Sequence, residues 1–258
     1  MTFYEWLFST YDNPRINGEW GPLHISVLVG CIALIVAFSL YFRGKRVDNF
    51  KQKRTVLWVM AGIILFFGIV RRAVGLYVKM DGFEMATFLK VMLPRPWCAI
   101  SCCMVIVAMI VNKKFFYNFT SITSILCTMV FFAYPGAGFI HKYVLFDDLY
   151  SIVVHALLLV CAVLFITFKL TDFKFKTIWK ELICLGGVYI YGAIETWILK
   201  IEKDPLYYLP GNDIVELFNM NYNLFIVLYF LFIAVFWTSF YVVQERRLPF
   251  KGKKNNDI

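Results

Sequence analysis

The sequence predicts an all-α, polytopic membrane protein with seven transmembrane helices, its N-terminus outside the cell and its C-terminus in the cytoplasm. The 258 residues are 60% hydrophobic and 17% charged, whereas an average soluble chain has about 25% charged residues. The apolar residues form continuous runs long enough to cross a bilayer, and every second loop between them is basic. These features exclude a disordered chain, a secreted disulfide scaffold and a cytosolic α/β enzyme. They also exclude a transmembrane β-barrel, whose strands alternate polar and apolar residues.

Seven apolar runs are predicted to span the membrane, which takes about 20 apolar residues per helix. In chain order they are Pro22–Phe42, Thr55–Val70, Pro96–Val111, Ile122–Phe139, Leu149–Phe168, Ile178–Leu199 and Leu224–Val243. The second run is short, and we expect its helix to continue past Arg71 and Arg72 through Ala73–Val78. Residues 1–21 are predicted to be an interfacial segment on the outer face rather than a cleavable signal peptide. Residues 1–258 are predicted to form one domain, which ends in a basic cytoplasmic tail, residues 244–258.

The basic residues fix the predicted orientation. Loops 43–54, 112–121 and 169–180, together with the tail, hold 17 of the 26 Lys and Arg residues, so these segments are assigned to the cytoplasm. The net charge of +9 therefore indicates topology and an affinity for anionic lipids at the cytoplasmic face, not nucleic-acid binding. We expect a multi-pass protein of the cell membrane, and which protein partners it has is left open by the sequence.

Ionisable groups that lipid should exclude gather near the predicted outer ends of the helices. Cys98 lies in the first turn of the third span, after Pro96, where free N–H groups and the helix dipole favour a thiolate. At 1.5 Å per residue, His155 lies about 9 Å and Glu195 about 6 Å below the outer surface. The other members of this predicted group are His24, Arg71, Arg72 and the helix break Tyr134–Gly138.

Each of these residues also has a structural interpretation. Cys98 taken alone fits a small buried apolar side chain, and the other six cysteines are given that interpretation. His155 fits an interhelical hydrogen bond, His24 an anchor at the headgroups, and Glu195 an ion pair with Lys200. The two arginines fit structural contacts with lipid phosphate. No disulfide, metal site or cofactor is expected.

Two segments resemble a known family. The segments are Leu93-Pro94-Arg95-Pro96-Trp97-Cys98 and Val154-His155-Ala156-Leu157, in which the histidine follows the cysteine by 57 positions, and His24 lies near the start of the first helix. This pattern is similar to that of the transmembrane protein 164 family, whose bacterial members are called YwaF-like. The resemblance implies an integral membrane acyltransferase that acts on phospholipid and lysophospholipid acyl chains. It matches Cys98 to the cysteine that forms the acyl-enzyme and His155 to the histidine base. The sequence departs from the bacterial Pro-x-His-x-Cys form, since it has no histidine between Pro94 and Cys98.

These residues suggest a mechanism in which Cys98 attacks a phospholipid ester and His155 moves the proton. Supporting roles are predicted for His24 and Glu195, and substrate binding for Arg71, Arg72, Arg95 and Trp97. Three alternatives stay open from the sequence. They are a proton-coupled small-solute transporter that uses Glu195, His24 and His155 as a relay, a non-catalytic lipid-binding protein, and a lipid hydrolase.

Overall fold

The computed structural model describes residues 1–10, 12–14, 21–43, 50–79, 84–94, 97–133, 139, 141–200, 206, 208–210, 215 and 219–247. Over these residues the chain is mostly helical and has no strands, which confirms the predicted all-α class. The helices are α1 (Phe3–Leu7), α2 (Pro22–Arg43), α3 (Phe50–Lys79), α4 (Met85–Met92), α5 (Trp97–Val111), α6 (Lys114–Ala133), α7 (Phe146–Thr167), α8 (Ile178–Ala193) and α9 (Tyr222–Arg247). A 3₁₀ turn, Phe175–Thr177, precedes α8, and a π-helical turn, Ile194–Ile198, continues it.

The described helices confirm a multi-pass membrane protein. Six of them are long and apolar enough to cross a membrane, and the number is seven if the bent pair α4–α5 forms one span. Most observed bounds lie within a few residues of the predicted ones. Helix α3 continues well past Val70, as expected, and therefore carries Arg71 and Arg72 on regular helix.

The fourth span differs from its predicted limits. Helix α6 begins at Lys114, eight residues before Ile122, and ends at Ala133. The first turns contain polar residues such as Asn118 and Ser121, which made them resemble a loop. They are helical because they face neighbouring helices rather than lipid: 67% of the apolar window of α6 is buried, against 11% for α2.

The third span is bent. Helices α4 and α5 meet at 68°, and α4 was not predicted from the sequence. Leu93, which precedes Pro94, has extended backbone angles (φ −72°, ψ 141°), because the proline ring disfavours a helical conformation at the residue before it. Helix α5 has only 15 residues, about 22 Å at 1.5 Å per residue. It is shorter than the ~30 Å hydrocarbon core, so its beginning fits inside the membrane.

Helix α6 lies at the centre of the bundle. It packs between α5 and α7, and α2 and α3 pack on α7. A second apolar cluster joins α6 to α8 and α9. The buried hydroxyls of Thr123 and Thr128 donate to carbonyls of their own helix, Phe119 at 2.9 Å and Ser124 at 2.7 Å. These internal bonds let small polar side chains sit in a close helix–helix contact.

The helix ends separate into two groups. At one end, the indole of Trp6 donates to the Val144 carbonyl at 3.0 Å, so the N-terminal segment lies against the start of α7. At the other end, Arg54 at the start of α3 donates to the Met109 carbonyl near the end of α5 at 3.1 Å. The starts of α2, α5 and α7 and the ends of α3 and α6 therefore lie together, and we call this the site end.

Candidate functional site

Cys98 lies at the site end, in the first turn of α5, and is partly buried. The backbone N–H groups of Cys98 and Ala99 lie next to its sulfur, and Arg71 of α3 is within electrostatic range. N–H groups at a helix start and a nearby cation stabilise a thiolate. Packing of the same side chain against the larger apolar cluster opposes that ionisation. The surroundings of Cys98 thus combine thiolate-stabilising groups with exclusion of water.

His155 of α7 is buried and has a defined orientation. Its Nδ1 lies 2.6 Å from the Ser151 carbonyl oxygen. A carbonyl only accepts hydrogen bonds, so Nδ1 carries the proton and Nε2 keeps its lone pair. The ring also stacks on Phe131 of α6, with centroids 3.8 Å apart and planes inclined by 5°. Nε2 is therefore the atom through which His155 can accept a proton.

Cys98 and His155 lie on neighbouring helices, since α5 and α7 are in contact. Tyr150, just over one turn before His155, is within electrostatic range of Cys98. The hydrogen bonds of the described residues do not include one between the Cys98 sulfur and the His155 ring. Their action as nucleophile and base consequently stays a prediction.

His24 opens α2 and is fully buried. Its ring stacks on Phe139 with centroids 4.3 Å apart. Phe139 lies 5.3 Å from Phe131, which in turn stacks on His155. A row of four rings therefore connects the two histidines across the site end. Whether His24 supports His155 in a reaction stays a prediction.

Glu195 lies in the π-helical turn that follows α8 and is buried. It accepts a hydrogen bond from the Tyr191 hydroxyl at 2.6 Å. Tyr191 is also within electrostatic range of Arg72 and Cys103. Single π turns inside helices are frequent at functional sites. The contact with Tyr191 gives Glu195 a defined position, and its predicted supporting role stays a prediction.

The adjacent arginines of α3 have different partners. Arg71 donates to the Asp147 carboxylate at 3.1 Å, and its guanidinium lies 4.7 Å from the centre of the Tyr150 ring. Arg72 donates to two backbone carbonyls, Met92 at 3.0 Å and Gly68 at 3.2 Å. Arg71 is thus paired with an opposite charge, whereas the described contacts of Arg72 are with neutral groups.

A small cleft lies between α3, α5 and α7, next to Cys98. Arg72, Cys102, Cys103 and Tyr150 contribute to its walls, as does Ala99, the residue after Cys98. The cleft therefore brings together a cation, a phenol and two further thiols, and one of these thiols, Cys102, lies one helical turn after the predicted nucleophile. In the part of the chain that the structure describes, no three His, Cys, Asp or Glu side chains are grouped so that they could hold a metal ion.

The remaining predicted substrate-binding residues are Trp97 and Arg95. The Trp97 indole N–H donates to the Tyr229 hydroxyl at 3.4 Å, and its ring meets Tyr189 edge to face at 5.8 Å. These contacts connect the start of α5 to α8 and α9. Arg95 lies outside the described residues, as does the predicted helix break 134–138.

The sequence analysis missed a buried carboxylate at the opposite end of the bundle. Glu181 of α8 is completely buried. It accepts hydrogen bonds from the Asn118 side chain at 2.8 Å and from the Trp237 indole at 3.3 Å. It lies inside the predicted span Ile178–Leu199, but the sequence analysis gave it no role. Helical spacing could have revealed it, because Glu181 lies four residues before Leu185 on the same buried face.

The sequence model of the TMEM164 family matches residues 20–241, which is most of the chain. No curated protein matches the chain, and no solved structure does.

Proposed function

This chain belongs to the TMEM164 family of membrane proteins, and we propose that it transfers acyl chains between phospholipids through an acyl-enzyme on Cys98. The observation that carries the proposal is the environment of Cys98. This residue lies in the first turn of α5, and α5 packs against α7, the helix that carries His155. Of the other predicted site residues, His24, His155 and the two arginines of α3 lie at the same end of the bundle.

In the first step, His155 Nε2 accepts the Cys98 thiol proton, and the thiolate attacks the ester carbonyl of a phospholipid. A C–S bond forms and the ester C–O bond breaks. The lysophospholipid leaves as its alcohol after it receives the proton from His155. The Nδ1 bond to Ser151 supports this assignment because it leaves Nε2 as the basic atom.

In the second step, the hydroxyl of another lysophospholipid gives its proton to His155 and attacks the thioester. The new ester C–O bond forms, the C–S bond breaks, and the proton returns to the Cys98 sulfur. The N–H groups at the start of α5 are proposed to stabilise the oxyanion in both steps. The apolar wall around the site limits access of water, which favours transfer over hydrolysis.

The other predicted residues take proposed supporting roles. His24 and Glu195 are proposed to orient the base. One of the arginines at the end of α3 is proposed to bind the phosphate of the substrate. Trp97 is proposed to line the substrate site from the α8–α9 side.

The thioester is the test of this proposal. Purified full chain is incubated with dioleoylphosphatidylcholine and analysed by acyl-biotin exchange and intact mass. We expect an added oleoyl mass and a hydroxylamine-sensitive label on wild type, and neither on Cys98→Ser. The matched control is Cys184→Ser, which removes a partly buried thiol on α8 and should label like wild type.

Equal labelling of wild type and Cys98→Ser would contradict the acyl-enzyme.

A second assay adds a deuterated lysophospholipid to the wild-type protein and separates transfer from hydrolysis. Transfer gives a labelled diacyl product, whereas hydrolysis gives free fatty acid. A pH-dependent proton flux in liposomes that survives Cys98→Ser would instead favour the transporter alternative.

A further inference from the structure

Two adjacent arginines end α3, and their contacts leave them unequal capacity to bind an anion. Arg71 donates to the Asp147 carboxylate at 3.1 Å. Arg72 uses two of the five N–H donors of a guanidinium on carbonyl oxygens, so three remain beyond those bonds. No ion pair to Arg72 occurs among residues with described positions. The two carbonyls hold the Arg72 guanidinium in place without neutralising its charge.

Gly68 makes room for this guanidinium. A Cβ atom at Gly68 would lie 3.3 Å from Nη1 of Arg72, closer than most real contacts of this kind. The Gly68 carbonyl at the same place accepts the hydrogen bond from Nη1. The backbone of α3 therefore forms a cradle that a side chain would partly fill.

The cleft beside Arg72 is polar at one end and apolar along the rest of its length. Arg72 and Tyr150 lie at the site end, and Ile64 lies eight residues earlier on α3, about 12 Å toward the opposite end. Leu65, which also lines the cleft, is 46% exposed on the outside of the bundle. An opening on the apolar outer surface admits a ligand from within the bilayer. The cleft is small, about 40 Å³, so it fits the anionic group of an amphipathic molecule whose apolar chains lie along the outer surface of the bundle.

We propose that this cleft binds the phosphodiester of a membrane phospholipid and that Arg72, not Arg71, holds the phosphate. Charge-assisted hydrogen bonds from a guanidinium are the usual means of binding phosphate. Ala99 lines the same cleft next to Cys98, so the bound lipid lies alongside the reactive sulfur. The inference rests on the proposed phospholipid substrate and assigns the place where its headgroup binds.

Binding without turnover tests this assignment. The full chain carrying Cys98→Ala is titrated in detergent micelles with dioleoylphosphatidylcholine, or with dioleoylglycerol as the phosphate-free probe, and bound lipid is measured by native mass spectrometry. Phosphatidylcholine has no net charge, so the basic loops do not attract it. We expect Arg72→Gln to weaken phosphatidylcholine binding about tenfold and to leave dioleoylglycerol binding unchanged.

Matched variants separate this effect from general damage. Arg54→Gln removes an arginine of the same helix that also donates to a carbonyl of a neighbouring segment, Met109, at the opposite end of the bundle. It should bind phosphatidylcholine like the parent. Arg72→Lys keeps the charge without the planar fork and should lose less affinity than Arg72→Gln. If Arg72→Gln does not elute as a folded monomer, Gly68→Val fills the cradle instead and should weaken the same lipid.

Three results would overturn the proposal. They are unchanged phosphatidylcholine binding by Arg72→Gln, loss of binding by Arg71→Gln alone, and displacement of the lipid by millimolar inorganic phosphate, which would identify a soluble anion as the ligand. The outcome is independent of the acyl-enzyme, because Cys98 is absent from every protein in this experiment. Absence of the Cys98 thioester would therefore contradict the proposed acyl transfer. The lipid site would still be tested separately by the binding experiment.

Discussion

Glu181 allows a stability prediction that can be worked out from the structure. The carboxylate accepts hydrogen bonds from Asn118 and Trp237, and the Tyr241 hydroxyl lies against it. It therefore connects α8 to α6 and α9. Replacing Glu181 by alanine leaves two buried donors without their acceptor. Each such donor costs about 1–3 kcal/mol in soluble proteins. Interhelical hydrogen bonds in membranes contribute about 0.6 kcal/mol on average, with a maximum near 1.7 kcal/mol.

We accordingly expect Glu181→Ala to lower the free energy of unfolding by about 2–4 kcal/mol, which includes the cavity that the shorter side chain leaves. Glu181→Gln keeps the volume and one acceptor oxygen, so it should lose about half as much. The measurement is unfolding in mixed micelles with increasing mole fraction of SDS, followed by far-ultraviolet circular dichroism.

Two comparisons make this prediction specific. Glu84→Ala removes an exposed carboxylate and should change the unfolding free energy by less than about 0.5 kcal/mol. The double variant Glu181→Ala/Asn118→Ala should be less destabilised than the sum of its single variants, because the two side chains share one hydrogen bond. If Glu181→Ala were as stable as Glu84→Ala, the carboxylate would not connect the helices.

Three further predictions address packing, positioning and topology. A Cβ at Gly192 would lie 2.6 Å from Leu206 Cδ1, whereas one at Gly187 would meet nothing within 4 Å. In the same SDS titration we expect Gly192→Ala to be destabilised by about 1–3 kcal/mol. We expect Gly187→Ala to be unchanged or stabilised by up to about 1 kcal/mol. Phe131→Ala removes the ring that stacks on His155 and should slow thioester formation about tenfold or more, so an unchanged time course of acyl-biotin exchange would show that the ring does not position the base. An epitope at the N-terminus should bind antibody on intact cells and one at the C-terminus only after permeabilisation; the reverse pattern would invert the topology.

The sequence located the membrane helices because lipid imposes a simple rule on them. A spanning segment must satisfy its backbone hydrogen bonds within a helix and present mostly apolar side chains. Runs such as Pro22–Phe42 therefore predict both that the segment is helical and approximately where the helix begins and ends. The rule failed for the start of α6, where Asn118 and Ser121 face protein instead of lipid. It also gave no indication of α4, since an eight-residue helix is too short to cross a bilayer.

The sequence by itself determined the class of fold, the family and the placing of Cys98 at a helix start, all of which depend on residue types at short spacing. Only the tertiary structure decided which groups meet. It paired Arg71 with Asp147 and left Arg72 beside a cleft, and it stacked Phe131 on His155. It also buried Glu181 among three helices. Such contacts join residues far apart in the chain, and they depend on the rotation of each helix about its axis, which side-chain packing sets and hydropathy does not encode.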